Sequence, residues 1–395
     1  MPTSMSNPVR EYIQAHADDL KTYLADLIRA KTVNPPGDEY KAAKVFLDFC
    51  DRYGIPYETY AKIPGRANVV AHVGRGQPRI MVVAHLDTVP AGDGWETDPF
   101  EPIEKDGRLI GRGAKDNKGA LAAMMVMARC LKEREADLGG ELLIVAAADE
   151  EAGSSLGMQY LLEECGVEAD VAIVPDAGYG MRMIDVGEKG ALFLKVRAVG
   201  RQSHGSEPDR GASAVWPVID FLNQIRRWRP PSVPSDLFTP PTLNLGAIHA
   251  GTVPNIVPGK CEALIDIRYL PGTDGQAIID HLCRVLHETE QMSGGVKMEL
   301  DVLSHQLPSL VAMDHPVVAY LEQRTEEVTG TRPERAGQSG ATVAKFLILR
   351  GIPAVGFWCG PEGADHMANE WISLDELAQF TEVMTRVVED LFKGR

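Results

Sequence analysis

The chain has 395 residues, 44% hydrophobic and 24% charged, which suits an ordinary globular protein with room for two domains. Its 56 acidic against 40 basic residues give a formal net charge of −16, which argues against nucleic acid or an anionic membrane as partner but leaves a small anionic substrate open at a local arginine. Six scattered cysteines without paired spacing, no run near the ~18 apolar residues of a membrane span, and no apolar core at the N-terminus predict a cytoplasmic protein with reduced thiols.

Leu20, Tyr23, Leu24, Leu27 and Ile28 recur at helical spacing, so the pattern predicts one amphipathic helix over 9–30, stopped by Asn34, Pro35 and Pro36. A second helix is expected over 39–53. Short apolar runs follow at Asn68–Val73, Arg79–Ala84, Glu141–Ala148 and Val171–Val174, with a buried helix, Lys118–Lys132, between two of them. This alternation points to an α/β unit with a largely parallel sheet. From residue 190 the pattern changes. A strand over ALFLKVRAVG (191–200) is followed by a helix over Ala214–Trp228 and a proline-rich loop over 230–241. Strands at Thr242–Ala250 and Lys260–Tyr269, a helix at Gly275–Gln291 and a strand at Val296–Leu303 complete the run. Strand–helix–strand–strand–helix–strand is the split-βαβ, ferredoxin-like order. The expected division is therefore a first domain of residues 1–189 and 305–395, with a small domain of residues 190–304 inserted in it.

Five stretches place acids and histidines directly after apolar runs: AHLDTVP (84–90), GRGAKDNKG (111–119), ADEEAGS (148–154), VPDAG (174–178) and DHMANEW (365–371). Ligand sites of open α/β sheets gather outside the carboxyl ends of the strands. Imidazoles mixed with carboxylates suit zinc, whereas oxygen-only sets suit magnesium or calcium. The count suits two ions: His85, Asp116 and Asp176 for one, His366, Glu151 and Asp116 for the other, with Asp116 bridging. A shared water would complete each set, and Co²⁺ or Mn²⁺ fits the same donors.

These motifs, H-x-D, G-x-x-D-x-K-G, D-E-E-x-G and a late H-x-x-N-E in that order, resemble those of the co-catalytic zinc peptidases and deacylases. That family includes acetylornithine deacetylase, succinyl-diaminopimelate desuccinylase, glutamate carboxypeptidase and several dipeptidases. The resemblance spans nearly the whole chain. It implies a mixed-sheet α/β catalytic domain, an inserted ferredoxin-like lid that also dimerises, and the metal ligands given above. By position, Asp87 orients the His85 ring and Glu150, beside the ligand Glu151, serves as general base. Three residues of the inserted domain match the family's lid. His204 is implied to polarise the substrate carbonyl across a dimer interface, and Asn255 to meet the substrate. Arg268 is implied to grip a substrate carboxylate, although Asp266 and Glu262 on its own strand are alternative partners.

The substrate expected is an N-acyl-L-amino acid. A dipeptide or carboxyl-terminal peptide bond is the alternative within the class, and a non-catalytic binding module the alternative outside it. One stretch departs from the family. Where the deacetylase and desuccinylase branches commonly carry G-T-S-D-x-R-F, this chain has Val343 for the Asp and Lys345 for the Arg.

Overall fold

The computed structural model describes residues 7–394 and separates into two units. The first comprises the chain up to Gly187, Val311–Ala336, and Ala341 onward; the second is Glu188–Leu310 with Gly337–Gly340. The divisions thus lie a few residues from the expected 189/190 and 304/305, and a short stretch near 338 belongs with the second unit.

Four strands form the parallel centre of the first unit, in the order Glu141–Ala147, Arg79–His85, Val171–Val174 and Ala354–Gly356. Ala67–Gly74 pairs antiparallel with Glu141–Ala147, and Tyr57–Ala61 with Ala67–Gly74. Met183–Glu188 joins Ala354–Gly356 antiparallel. The sheet is therefore mixed around a parallel core. Its central strands are apolar on both faces because helices cover both. Met81, Val83, Leu143 and Val145 pack on Met158, Leu161 and Leu347. On the opposite face lies the helix Lys118–Lys132, buried on nearly every side because the helices Ala17–Arg29 and Leu374–Lys393 pack over it. Leu374–Lys393 begins where the Ser373 side chain accepts from the Glu376 N–H, and it ends at Gly394, whose φ is +60°.

The helix expected over 9–30 is two helices, Pro8–Ala15 and Ala17–Arg29. His16 leaves helical geometry (φ −116°, ψ 20°) and its Nδ1 lies 2.8 Å from the Tyr12 carbonyl oxygen. Asp18 and Asp19 then fall in the first turn of the second helix, where acids are favoured. The pattern also passes over Tyr57–Ala61, Met183–Glu188 and Ala354–Gly356, and over a three-stranded sheet of Ile103–Lys105, Arg108–Ile110 and Trp371–Ser373. That small sheet pairs Trp371 with Ile110, which sets Glu370 beside the loop 111–116.

The second unit is an antiparallel sheet in the order Thr242–Ala250, Lys260–Tyr269, Gly190–Val199, Lys297–Gln306. The helices Val215–Ile225 and Gly275–Gln291 bury Val218, Phe221, Ile278 and Leu282 against Leu192, Leu194, Ile265 and Ile267. Chain order and spatial order are those of the ferredoxin-like fold. The first helix is shorter than its expected range, and the last strand runs on to Gln306 through a bulge at Val302–Ser304. The six cysteines are free, and no helix among the described residues is long and apolar enough to cross a membrane.

Candidate metal centre

The parallel strands deliver their carboxyl ends to one edge of the first unit. His85 is the last residue of its strand and stands level with Ala147. Beyond Ala147 the chain passes through Asp149, at φ +63°, into the single turn Glu150–Ala152. Asp176 follows Val171–Val174, and the segment after Ala354–Gly356 leads to His366. Asp116 comes from the loop that opens the helix Lys118–Lys132.

These residues meet as two groups that share Asp116: His85, Asp116 and Asp176, and Asp116, Glu151 and His366. Within each group the ligating atoms lie within 4.8 Å of one another. His85 Nε2 is 2.9 Å from Asp116 Oδ1 and 3.9 Å from Asp176 Oδ1. His366 Nε2 is 3.2 Å from Asp116 Oδ2 and 3.3 Å from Glu151 Oε2. Asp116 thus offers one oxygen to each group. The other Glu151 oxygen, Oε1, is buried with no hydrogen-bond donor among the described residues, a costly state unless a cation meets it.

The electrostatics agree. Burial opposes charging His85, but Asp116 and Asp87 outweigh it and hold the imidazole well above its ordinary value. Asp116 and Glu151 lift His366 to about 10. Burial and the Asp116 charge raise Asp176 to about 6. Glu150 is pushed well above the carboxylate range, first by burial and then by Asp176. Burial opposes charging Asp116 too, but His366 and His85 outweigh it and hold its carboxyl well below the ordinary range; Asp176 and Glu150 instead hold protons strongly, and a divalent cation answers the same field. Donor types, the shared carboxylate and the orphaned oxygen all fit two cations of the zinc kind.

The residues that position this set extend beyond the sequence motifs. Asp87 is fully buried; its carboxylate lies 3.4 Å from His85 Nδ1, while the Asp87 backbone oxygen lies nearer, at 3.1 Å. The same carboxylate accepts the backbone N–H groups of Glu150 (3.1 Å) and Glu151 (3.2 Å) and the Asn34 amide (2.8 Å). Its larger part is therefore to hold the turn that carries both acids. Asn117 accepts the His85 N–H at 3.2 Å and donates to the Pro175 oxygen at 2.5 Å and Asp176 Oδ1 at 3.2 Å, joining three ligand loops. The buried Glu370 carboxylate accepts the N–H groups of Gly113, Lys115 and Asp116 and a 2.7 Å bond from Arg112 Nη1. Glu370 stands inside the H-x-x-N-E motif, yet its task, receiving backbone donors, leaves no code beyond that motif. Asn34 carries no motif signal.

The second unit brings His204 and Asn255 together and leaves Arg268 elsewhere. Gly205 N donates to the Asn255 oxygen at 2.8 Å, and His204 bridges to Ile256. His204 Nδ1 is 2.7 Å from Ser206 Oγ, so Nε2 is the nitrogen available to a ligand. Arg268 sits at the far end of the strand Lys260–Tyr269, about 26 Å along it at ~3.3 Å per residue. Its fork is directed to Asp266, Nε to Oδ1 at 2.8 Å and Nη2 to Oδ2 at 3.1 Å.

A family model described as peptidase family M20/M25/M40 matches residues 81–390. The chain belongs to this family. Among its relatives, a metallohydrolase of Methanocaldococcus jannaschii is 28% identical over 92% of this chain and 97% of its own length. An acetylornithine deacetylase of Myxococcus xanthus is 30% identical over 82% of each. A tripeptidase from Staphylococcus aureus shares the fold, with a TM-score of 0.79 over 95% of this chain and 99% of its own at 21% identity. In this M20 member, then, the paired His/Asp/Glu groups are ones that could bind metal.

Proposed function

We propose that this protein is a two-cation amidohydrolase that removes the acyl group from an N-acyl-L-amino acid, in the manner of a deacetylase or desuccinylase. The observation that carries the reading is Asp116, shared between two three-residue groups with Glu150 alongside. The deacetylase relative supplies the substrate class. Zinc is the cation proposed, with His85, Asp116 and Asp176 holding one ion and Asp116, Glu151 and His366 the other; Co²⁺ or Mn²⁺ suits the same donors. Such cations supply Lewis acidity toward the scissile carbonyl and toward water.

The protein's own residues do the rest. Glu150 takes a proton from the attacking water and returns it to the leaving nitrogen, as a carboxyl with raised proton affinity can. Asp87 holds Glu150 and Glu151 by their N–H groups, and its backbone oxygen keeps the proton of His85 on Nδ1, so Nε2 faces the ligand. His204 polarises the substrate carbonyl, Asn255 meets the substrate, and Arg268 turns from Asp266 to the substrate carboxylate. His204 pairs with Ile256, ahead of the strand Lys260–Tyr269, whereas Arg268 lies near the other end of that strand, an arrangement that favours His204 serving the site of a second subunit.

The catalytic domain proposed is the first unit and the lid the second, in a cytoplasmic homodimer joined through the lid. The exposed strand Thr242–Ala250 offers an unpaired edge with Leu245 and Ile248 at the surface, as a pairing edge would.

The test is amine release by zinc-loaded protein from N-acetyl, N-succinyl, N-formyl and N-carbamoyl amino acids and from simple dipeptides. Preferential turnover of one N-acyl group is expected. Turnover of dipeptides alone would transfer the protein to the peptidases. Silence with two metals bound would refute the small-substrate reading.

A further inference from the structure

We propose that Lys115 is a positioning residue whose ion pair with Asp365 fixes His366, and so sets the strength of the second cation site. The inference rests on the two-cation reading above. The two histidines of the centre are held differently. His85 is buried, and its Nδ1 has the Asp87 backbone oxygen as a partner. His366 is half exposed at φ +61°, and among the described residues its ring nitrogens meet only Asp116 and Glu151, its own co-ligands. Something other than its ring must therefore place it.

Lys115 is placed to do this. It precedes Asp116 in the chain, its side chain is buried, and Nζ pairs with Asp365, the residue before His366. Its stem passes Gly360, at φ +99°, where a Cβ would come within 2.9 Å of Lys115 Cγ. Its Nζ stands 5.0 Å from the centre of the Tyr179 ring, in the loop after Asp176. The Lys115 oxygen accepts from Trp358 Nε1 at 3.0 Å, and its N–H is held by Glu370 at 2.8 Å. One side chain thus ties the loop of Asp116 to the loop of His366, assisted by a 3.2 Å bond from Arg112 Nη2 to the His366 oxygen. A lysine charge beside two divalent cations is unfavourable in itself, so its burial at this place points to geometry.

The two roles predict opposite signs. If Lys115 were merely a repelling charge, its removal would tighten both ions. The test strips full-length protein with a chelator and titrates it with Zn²⁺ by calorimetry. Wild type is expected to take two equivalents. Lys115→Met and Asp365→Asn should each keep one equivalent at wild-type strength and bind the other at least about tenfold more weakly, with unchanged far-ultraviolet circular dichroism. If Lys115→Met does not fold, Lys115→Gln, which also removes the charge but keeps a polar end, decides the matter. A second ion bound as in wild type or more tightly overturns the clamp and leaves the two-cation reading standing; so does equal weakening of both ions. A wild type that takes fewer than two ions overturns that reading itself.

Discussion

Asp87→Asn isolates what the buried carboxylate does. The substitution keeps the shape and removes the charge. In the wild type, Oδ1 accepts the Glu150 N–H, while Oδ2 accepts the Asn34 amide and the Glu151 N–H. An asparagine has one oxygen. Its better orientation keeps Asn34 and Glu151 satisfied and turns the NH₂ group toward the Glu150 N–H, donor against donor. A buried donor without an acceptor costs about 1–3 kcal/mol, and the surviving bonds lose their charge assistance. The sum is a loss of ~2–4 kcal/mol, to be read from urea unfolding in the presence of a chelator, so that metal binding does not enter. The Asp87 carboxyl is held below its ordinary range: burial opposes this, but His85 and Asn34 outweigh burial. Its contribution is therefore present above the unfolded-state value of about 3.9 and fades as pH falls, and the gap between the two proteins should close below about pH 4. Because the Asp87 backbone oxygen remains beside His85, cation binding by His85 should weaken less than turnover does. Unfolding free energies that agree within about 0.5 kcal/mol at pH 7 would refute the hydrogen-bond argument.

Glu150→Gln should bind both cations and lose about 10²–10⁴ of turnover; retained turnover would remove Glu150 as the proton carrier. Glu322 accepts bonds from Arg335 and Arg332, which hold its carboxyl low despite burial. Because both arginines are partly exposed, Glu322→Gln should cost only ~1–2 kcal/mol at pH 7, with the difference vanishing in acid below about pH 4, as paired thermal melts would reveal. Replacing Leu245 and Ile248 by Lys on the exposed edge strand should give monomers in sedimentation while leaving the second unit folded; an unchanged sedimentation coefficient would rule this edge out as the interface.

The ligands were legible because the fold writes them next to something legible. His85, Glu151 and Asp176 each follow an apolar run, and such runs are the central strands of a covered parallel sheet. The inserted split-βαβ order was legible for a different reason: its strands are long and antiparallel, and Lys260–Tyr269 alternates buried with more exposed residues. What escaped is what depends on partners far along the chain. Tyr57–Ala61 is largely exposed and shows no apolar alternation, and Ala354–Gly356 is too short to carry a period. The break at His16 turns on one ring bonding back to Tyr12. Glu370 and Asn117 serve backbone groups, and which groups those are is decided by register. Arg268 lies two residues from Asp266 on one strand, so that pairing was legible as an alternative; the grouping of His204 with Asn255 needed the loop bridge at Ile256.

Asp116 and Glu151 are complete as a pair only when His366 arrives, and His366 stands just before the last helix, Leu374–Lys393. On a ribosome adding about 5–20 residues each second, the stretch from Asp176 to His366 takes ~10–40 s to emerge. Throughout that interval the nascent chain holds the acids of the centre without their closing imidazole. Uptake of the second proposed cation would therefore be a late event in the life of the molecule: a chain cut short before His366, whether by a stalled ribosome or a protease, would forgo the binding free energy that this ion adds.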